Sequence, residues 1–284
     1  MAASILFDAP GPKTVVRHRL YSLLTIAALA ALFGFLLWRL YQKEQFTYEK
    51  WEAFVTPGYI EALIFNGLLV TLQMAFTAVI AAVLFGVVFG LGKLSDHGFV
   101  RWPCWAVVEF FRAVPVLLMM IFIFGVYGIT RGDSGAYWSV VFALIVYNGA
   151  VLAEVFRAGI LAVPKGQAEA AYAIGMRKTQ VNMLILLPQA VKIMLPAIIS
   201  QCVVALKDTS LGFAVAAPGL TNVGEAIYLE ENNQIPTVMV LAAIYITVNL
   251  LLTWIATWVQ KKFVGEKKLE VPMVGDATTE ELPK

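Results

Sequence analysis

From Ala62 to Gly92 the chain runs for 31 residues without a charged side chain. A helix rises 1.5 Å per residue, so about 20 apolar residues already cross the hydrocarbon of a bilayer. A water-soluble domain has no way to hide an apolar rod of this length. The feature recurs along the sequence. A first stretch runs from about Leu20 to Leu40, uncharged between Arg19 and Arg39. The second lies within 62–92 and is long enough to tilt or to lie partly at the interface. A third runs from about Trp102 to Ile129, interrupted by Glu109 and Arg112, and a fourth from about Tyr137 to Ala162, with Glu154 and Arg157 near its end. The fifth, about Leu186 to Leu206, contains Lys192, Pro188 and Pro196, and the sixth, about Thr237 to Gln260, carries no charge. The expected fold is all-α, a polytopic membrane protein of about six transmembrane helices.

Composition agrees. Of 284 residues, 60% are apolar and 14% charged, against about 25% charged in a soluble domain. That mix excludes a disordered chain. A net charge of +2 offers no basic surface for nucleic acid. Cys104 and Cys202 have no paired spacing and read as small buried hydrophobes, not as a disulfide or metal pair. The first stretch exceeds the 7–15 residues of a signal-peptide core and reads as an uncleaved anchor, although Ala28-Leu29-Ala30 looks like a cleavage tripeptide.

Basic residues set the orientation. With the N-terminus in the cytoplasm, inside segments hold fourteen: Lys13, Arg17, Arg19, Lys93, Arg101, Arg157, Lys165, Arg177, Lys178, Lys261, Lys262, Lys267, Lys268 and Lys284. Outside segments hold five: Arg39, Lys43, Lys50, Arg131 and Lys207. Both termini are therefore expected in the cytoplasm, with the loop around Glu225, Glu230 and Glu231 outside. Residues 1–19 and 263–284 read as cytoplasmic tails, the latter charged and interrupted by Pro272, Gly275 and Pro283.

One cytoplasmic loop, 164–182, stands out. Gln167 to Ile174 is rich in Ala and Glu and forms a helix readily, while Pro164 before it and Gly175 after it bound about two turns. So short a helix is marginal in water. Ala170, Ala171 and Ile174 are expected to form a low-profile surface with Glu169 as its charge. Two readings remain open: a helix laid into a groove of another protein, or a connector resting on the membrane.

Glu169-Ala170-Ala171, three residues, Gly175, nine residues and Ile185-x-Leu187-Pro188 match the E-A-A loop of ABC importer permeases at every fixed position. The flanks are similar to the polar amino acid branch of that family. They include Asn66-Gly67, Thr71-Leu72, Phe111-Arg112-Ala113-Val114-Pro115, Ala153 to Ile160, Pro188-Gln189-Ala190 and Lys207-Asp208-Thr209-Ser210-Leu211. Ala113-Val114 departs from the Gly-Thr found in many relatives. The resemblance covers 58–262, leaves 20–41 as an extra N-terminal helix, and in overall look resembles the permease subunits of actinobacterial glutamate uptake systems. It implies the type I importer permease fold in a bacterial plasma membrane and import of an amino acid, glutamate by the narrower likeness. It also implies partners: a second, similar permease subunit in a heterodimer, two cytoplasmic ATPase subunits that hold ATP and magnesium, and an extracytoplasmic amino-acid-binding protein. Glu169, Ala170, Ala171, Ile174, Gly175 and Pro188 would couple the spans to the ATPases, with Gly175 giving a sharp turn and Pro188 marking where the chain returns into the fifth span.

No ATP site is expected in this chain. Gly86 to Leu94 is only a decoy for a phosphate loop, and Gly86 and Gly90 form a G-x-x-x-G that suits close helix packing. His18 and His97 lie near or outside span ends and no catalytic motif is present, so neither catalytic nor metal residues are expected. Ionisable groups in spans mark either pairs or a path. Arg112 and Glu154 either pair across helices or meet substrate, and Glu154 and Arg157, one turn apart, suit a local pair. Thr71, Asn148, Lys207, Asp208, Thr209 and Ser210 complete the expected substrate path, the last four where Gly212 and Pro218-Gly219 suggest irregular backbone. An ion-driven secondary transporter and a purely structural membrane subunit are the rival readings; no internal repeat supports the former.

Overall fold

A computed structural model describes residues 12–264. The charged stretch from 265 onward and residues 1–11, parts of the two expected tails, lie outside the described residues. Among the described residues there is helix and turn but no strand. Helix α1 spans Pro12–Gln42. Short turns over 48–55 lead to α2, Pro57–Lys93, which Pro57 opens from the first turn, where its missing N–H costs nothing. Then come α3 (Gly98–Ala113), α4 (Val116–Ile123, prolonged by wider and then tighter turns to Arg131) and α5 (Gly132–Leu161). A nine-residue α6 (Lys165–Ala173) precedes α7 (Lys178–Val215), α8 (Leu220–Glu231) and α9 (Gln234–Val264).

Five stretches are long and apolar enough to cross a bilayer. One of them, Val116–Leu161, doubles back. Gly132 has φ +55°, a value few side chains tolerate, and there the chain reverses. Gly128 then lies against Gly135 and Ser139, so α4 and α5 are antiparallel arms of a hairpin. The expected third stretch is also interrupted. Proline disfavours helix at the residue before it, and Val114 adopts an extended conformation (ψ 127°), separating α3 from α4.

The central contact is α2 on α5. A Cβ on Gly86 would sit 2.8 Å from Leu152 Cβ, and one on Gly90 2.7 Å from the Ala153 carbonyl. Buried Ala78, Ala82, Ala143, Ala150 and Ala153 extend this seam of small residues. Lipid tails are as apolar as leucine, so close van der Waals contact must do what burial does in water. Met74, Met119, Met120, Val140, Val141 and Leu144 fill the layer between α2, α4 and α5.

Two ends of the bundle can be told apart. Lys178, at the start of α7, pairs with Asp96 in the 94–97 turn, so that turn and the 162–178 loop share one end. At the other end α8 packs on the first turns of α2 through Leu63, Leu220 and Ile227. There the Tyr59 hydroxyl donates to Glu231 Oε1 (2.6 Å) and Asn233 Nδ2 donates to the Lys50 carbonyl (3.0 Å). The acidic loop expected between the last two spans is thus the helix α8. Helix α1 is exposed throughout 16–39 and packs on none of these helices. Cys104 and Cys202 are free and half-buried.

Candidate functional site

The 162–178 loop is built as a capped lever. Helix α5 ends at Leu161, buried Val163 plugs the corner, and extended Pro164 (ψ 131°) starts α6. Its far end closes with the Gly175 N–H donating to Tyr172 O (2.9 Å) and the Met176 N–H to Ala171 O (3.2 Å). These are the two bonds of a Schellman cap, which requires a left-handed residue, and Gly175 has φ +81°. Glycine is therefore needed here for its φ, since no neighbour crowds it.

The expected single surface of Ala170, Ala171 and Ile174 is divided. Ala171 is buried (5% exposed) and faces the first turns of α7, whereas Glu169 and Ala170 are exposed and Ile174 is 79% exposed. Successive helix positions lie about 100° apart, so adjacent alanines face different ways. Gln167 Oε1 accepts from Gln189 Nε2 (3.4 Å), a second tie to α7. The free side, with Glu169, Ala170, Tyr172 and Ile174, meets no other part of the described chain. Glu169 has no ion-pair partner among the described residues.

Pro188 does not mark a return into the membrane. Helix α7 already begins at Lys178, and Pro188 is exposed within it. The turns over Val181–Leu186 are π-helical, and this wider winding just before Pro188 makes room for a ring that has no N–H to give. Gln189 Nε2 covers the Ile185 carbonyl (2.9 Å). Lys178 holds the Asp96 carboxyl below its ordinary pKa by hydrogen bond and charge, so the pair stays ionised at neutral pH.

Above this end lies a chain of charges. Arg112 and Glu154 do not pair with each other. Instead Arg112 Nη1 is 3.4 Å from Glu109 on its own helix, and Arg157 Nε is 3.0 Å from Glu154 on its own. The expected local pair of Glu154 and Arg157 is present. Lys93 joins the two halves: its Nζ is 3.1 Å from Glu109 Oε1 and also contacts Glu154 Oε1. The sequence reading placed Lys93 simply among the basic residues at a span end. Its signal was position: the last turn of a helix favours a cation, and carboxylates at 109 and 154 approach the same membrane face from two neighbouring helices.

The other path residues divide. Thr71 Oγ1 accepts the Leu220 N–H (2.9 Å), capping α8. Asn148 donates to Leu144 O (2.9 Å) and accepts from Gln201 Nε2 (2.7 Å), so both of its ends are used within the bundle. Thr209 Oγ1 donates to Leu206 O (2.6 Å) and is buried. The irregular backbone expected after Lys207 is present: 3₁₀ turns over Thr209–Val215, Ala216 left-handed, Gly219 at φ +149°. Asp208 is half-buried and does not line the adjoining groove. Lys207 and Ser210 do line it, with Tyr245, Asn249 and Thr253 of α9, around about 430 Å³. The sixth stretch was read only as uncharged, yet Tyr245, Asn249 and Thr253 are spaced four apart, which puts three polar groups on one helix face.

Residues 82–265 match the family of binding-protein-dependent transport system inner membrane components. The glutamate transport system permease protein GluD of Corynebacterium glutamicum is 41% identical over 216 residues, covering 75% of this chain and 79% of that protein. The probable glutamine ABC transporter permease protein GlnP of Bacillus subtilis is 32% identical over 194 residues, covering 66% and 88%. A crystal structure of an amino acid ABC transporter with histidines superposes with a TM-score of 0.65 at 28% identity, over 72% of this chain and 95% of that one. A capped helix bearing Glu-Ala-Ala between two spans, on a bundle that superposes in this way, leaves one assignment: the chain belongs to the family of binding-protein-dependent transport system inner membrane components.

Proposed function

We propose that the chain is the membrane-spanning subunit of an ATP-driven importer of polar amino acids, with glutamate as its substrate. The observation that carries this reading is α6. A short helix, capped at one end and pinned at Ala171, presents Glu169, Ala170 and Ile174 to whatever lies below the bundle. A lever of this kind transmits force because its cap fixes its angle to α7 while its open face stays free for a partner. That partner is one of two cytoplasmic ATPase subunits, which hold ATP and magnesium; this chain performs no catalysis. A second, similar permease subunit completes the path, and an amino-acid-binding protein delivers substrate at the α8 end. The basic-residue count supports a plasma-membrane topology with both termini cytoplasmic. The identity to a glutamate permease supports the substrate.

The test is to copurify the chain with candidate partner subunits, reconstitute the complex in liposomes and measure ATP hydrolysis with amino-acid-loaded binding protein. Glutamate is expected to stimulate. Stimulation by arginine or glutamine but not glutamate overturns the substrate. Uptake that survives without ATP and stops when the membrane potential collapses overturns the ATP-driven reading. Labelling of a cysteine at position 169 from outside intact cells overturns the topology.

A further inference from the structure

The groove between α7 and α9 is polar where a bilayer is not. It has the size of a small-ligand pocket, about 430 Å³. Its walls carry an ammonium on Lys207, hydroxyls on Ser210, Tyr245 and Thr253, and the amide of Asn249. Lys207 has no carboxylate partner among the described residues. A lone cation in a span carries a cost of several kcal/mol unless it faces a path or a partner. Asn249 adds an independent observation. Its Nδ2 donates to the Tyr245 carbonyl (2.7 Å), but its Oδ1 is buried and accepts nothing. Orphaned buried acceptors are few in native proteins, and each calls for a donor from elsewhere.

A cation and an unfilled acceptor in one groove are complementary to a molecule with a carboxylate and an ammonium. Depth agrees. Asn249 lies fifteen residues into a 31-residue helix, near its middle, and midplane sites are where transporters hold cargo. We propose that this groove is this chain's half of an amino acid site, in which Lys207 takes the side-chain carboxylate and Asn249 Oδ1 takes the α-ammonium. The assignment rests on the importer reading above and adds to it which atoms distinguish glutamate from glutamine. Ser210 already donates its hydroxyl to the Lys207 carbonyl (2.7 Å), so it is left as an acceptor beside the ammonium of Lys207. The open side of the groove is closed by the second permease subunit.

The test uses the whole transporter, purified in detergent without its binding protein, and reads equilibrium binding of radiolabelled glutamate with glutamine as competitor. Losing a charge-assisted hydrogen bond weakens binding by about tenfold or more. K207M is expected to weaken glutamate by that factor and to leave glutamine within about twofold, while K207R retains most glutamate affinity. N249L is expected to weaken both amino acids together. T257V, on α9 outside the groove, is the control, and size-exclusion chromatography confirms that each variant is assembled. Unchanged glutamate affinity in assembled K207M, or an equal loss for both amino acids, overturns the assignment. A wild-type complex that transports glutamate but binds none of it without the binding protein also overturns the groove while leaving the importer reading intact. A wild-type complex that transports no amino acid overturns both.

Discussion

Lys93 and Glu154 meet where α2 ends and α5 is about to leave the membrane, and the same ammonium is 3.1 Å from Glu109 on α3. One side chain, 5% exposed, thus fastens three helices at the end that carries the loop helix. Removing one member of a buried pair strands the other charge, which costs about 3–5 kcal/mol in full burial. The loss here is smaller because Glu109 is 39% exposed. K93M is expected to lower the melting temperature of the purified complex and its stimulated ATPase. The double variant K93M/E154Q, which removes the stranded charge, is expected to recover much of the stability. Equal melting temperatures for wild type and K93M would show that the bridge contributes nothing.

Gly175 is replaceable only by residues that accept a left-handed backbone. A β-branched residue at φ +81° carries strain of about 1–3 kcal/mol and opens the cap. G175V is expected to reach the membrane at normal levels yet lose substrate-stimulated ATP hydrolysis, with G175N much milder. E169K, on the free face, is expected to share the loss of coupling without any change in melting temperature, which separates a docking defect from a folding one.

The seam between α2 and α5 tolerates no added bulk. G90V would drive a side chain into the Ala153 carbonyl, 2.7 Å from the position of its Cβ. Its expected outcome is loss of assembled protein on fluorescence size-exclusion chromatography. G125A, with nothing within 4 Å, is expected to behave as wild type.

Asn148 and Gln201 join α5 to α7 through one bond of 2.7 Å. Interhelical hydrogen bonds in membranes average about 0.6 kcal/mol and reach about 1.7. A double-mutant cycle with N148L and Q201L, read by denaturant unfolding, should return a coupling in that range. A coupling of zero would return both residues to the set of path candidates.

The sequence announced its spans and its loop helix because both depend on local rules. Apolar length decides what lies in lipid, and Pro164, the Ala-rich turns and Gly175 decide where a helix begins and stops. The reversal at Gly132 was less visible, since the glycine sits between two apolar stretches and its turn is fixed by Gly128 meeting Gly135. The partner of Arg112 was misjudged because pairing across a bundle depends on helix rotation, which no single stretch encodes. Lys93 and Asn249 were passed over for related reasons: one was counted as a surface charge, the other lay in a span scored only for charge. Pro188 misled because proline usually starts a helix, and the π-turns that accommodate it deeper in have no sequence mark as plain as the residue itself.

Helix α1 has 31 residues, about 46 Å of rod, and touches no other helix of the bundle. A rod longer than the hydrocarbon it crosses must lean, and here no neighbour dictates the angle. Membrane thickness sets it instead, so swelling or thinning of the surrounding lipid would register first in the slope of this one helix, while the bundle beside it kept its shape.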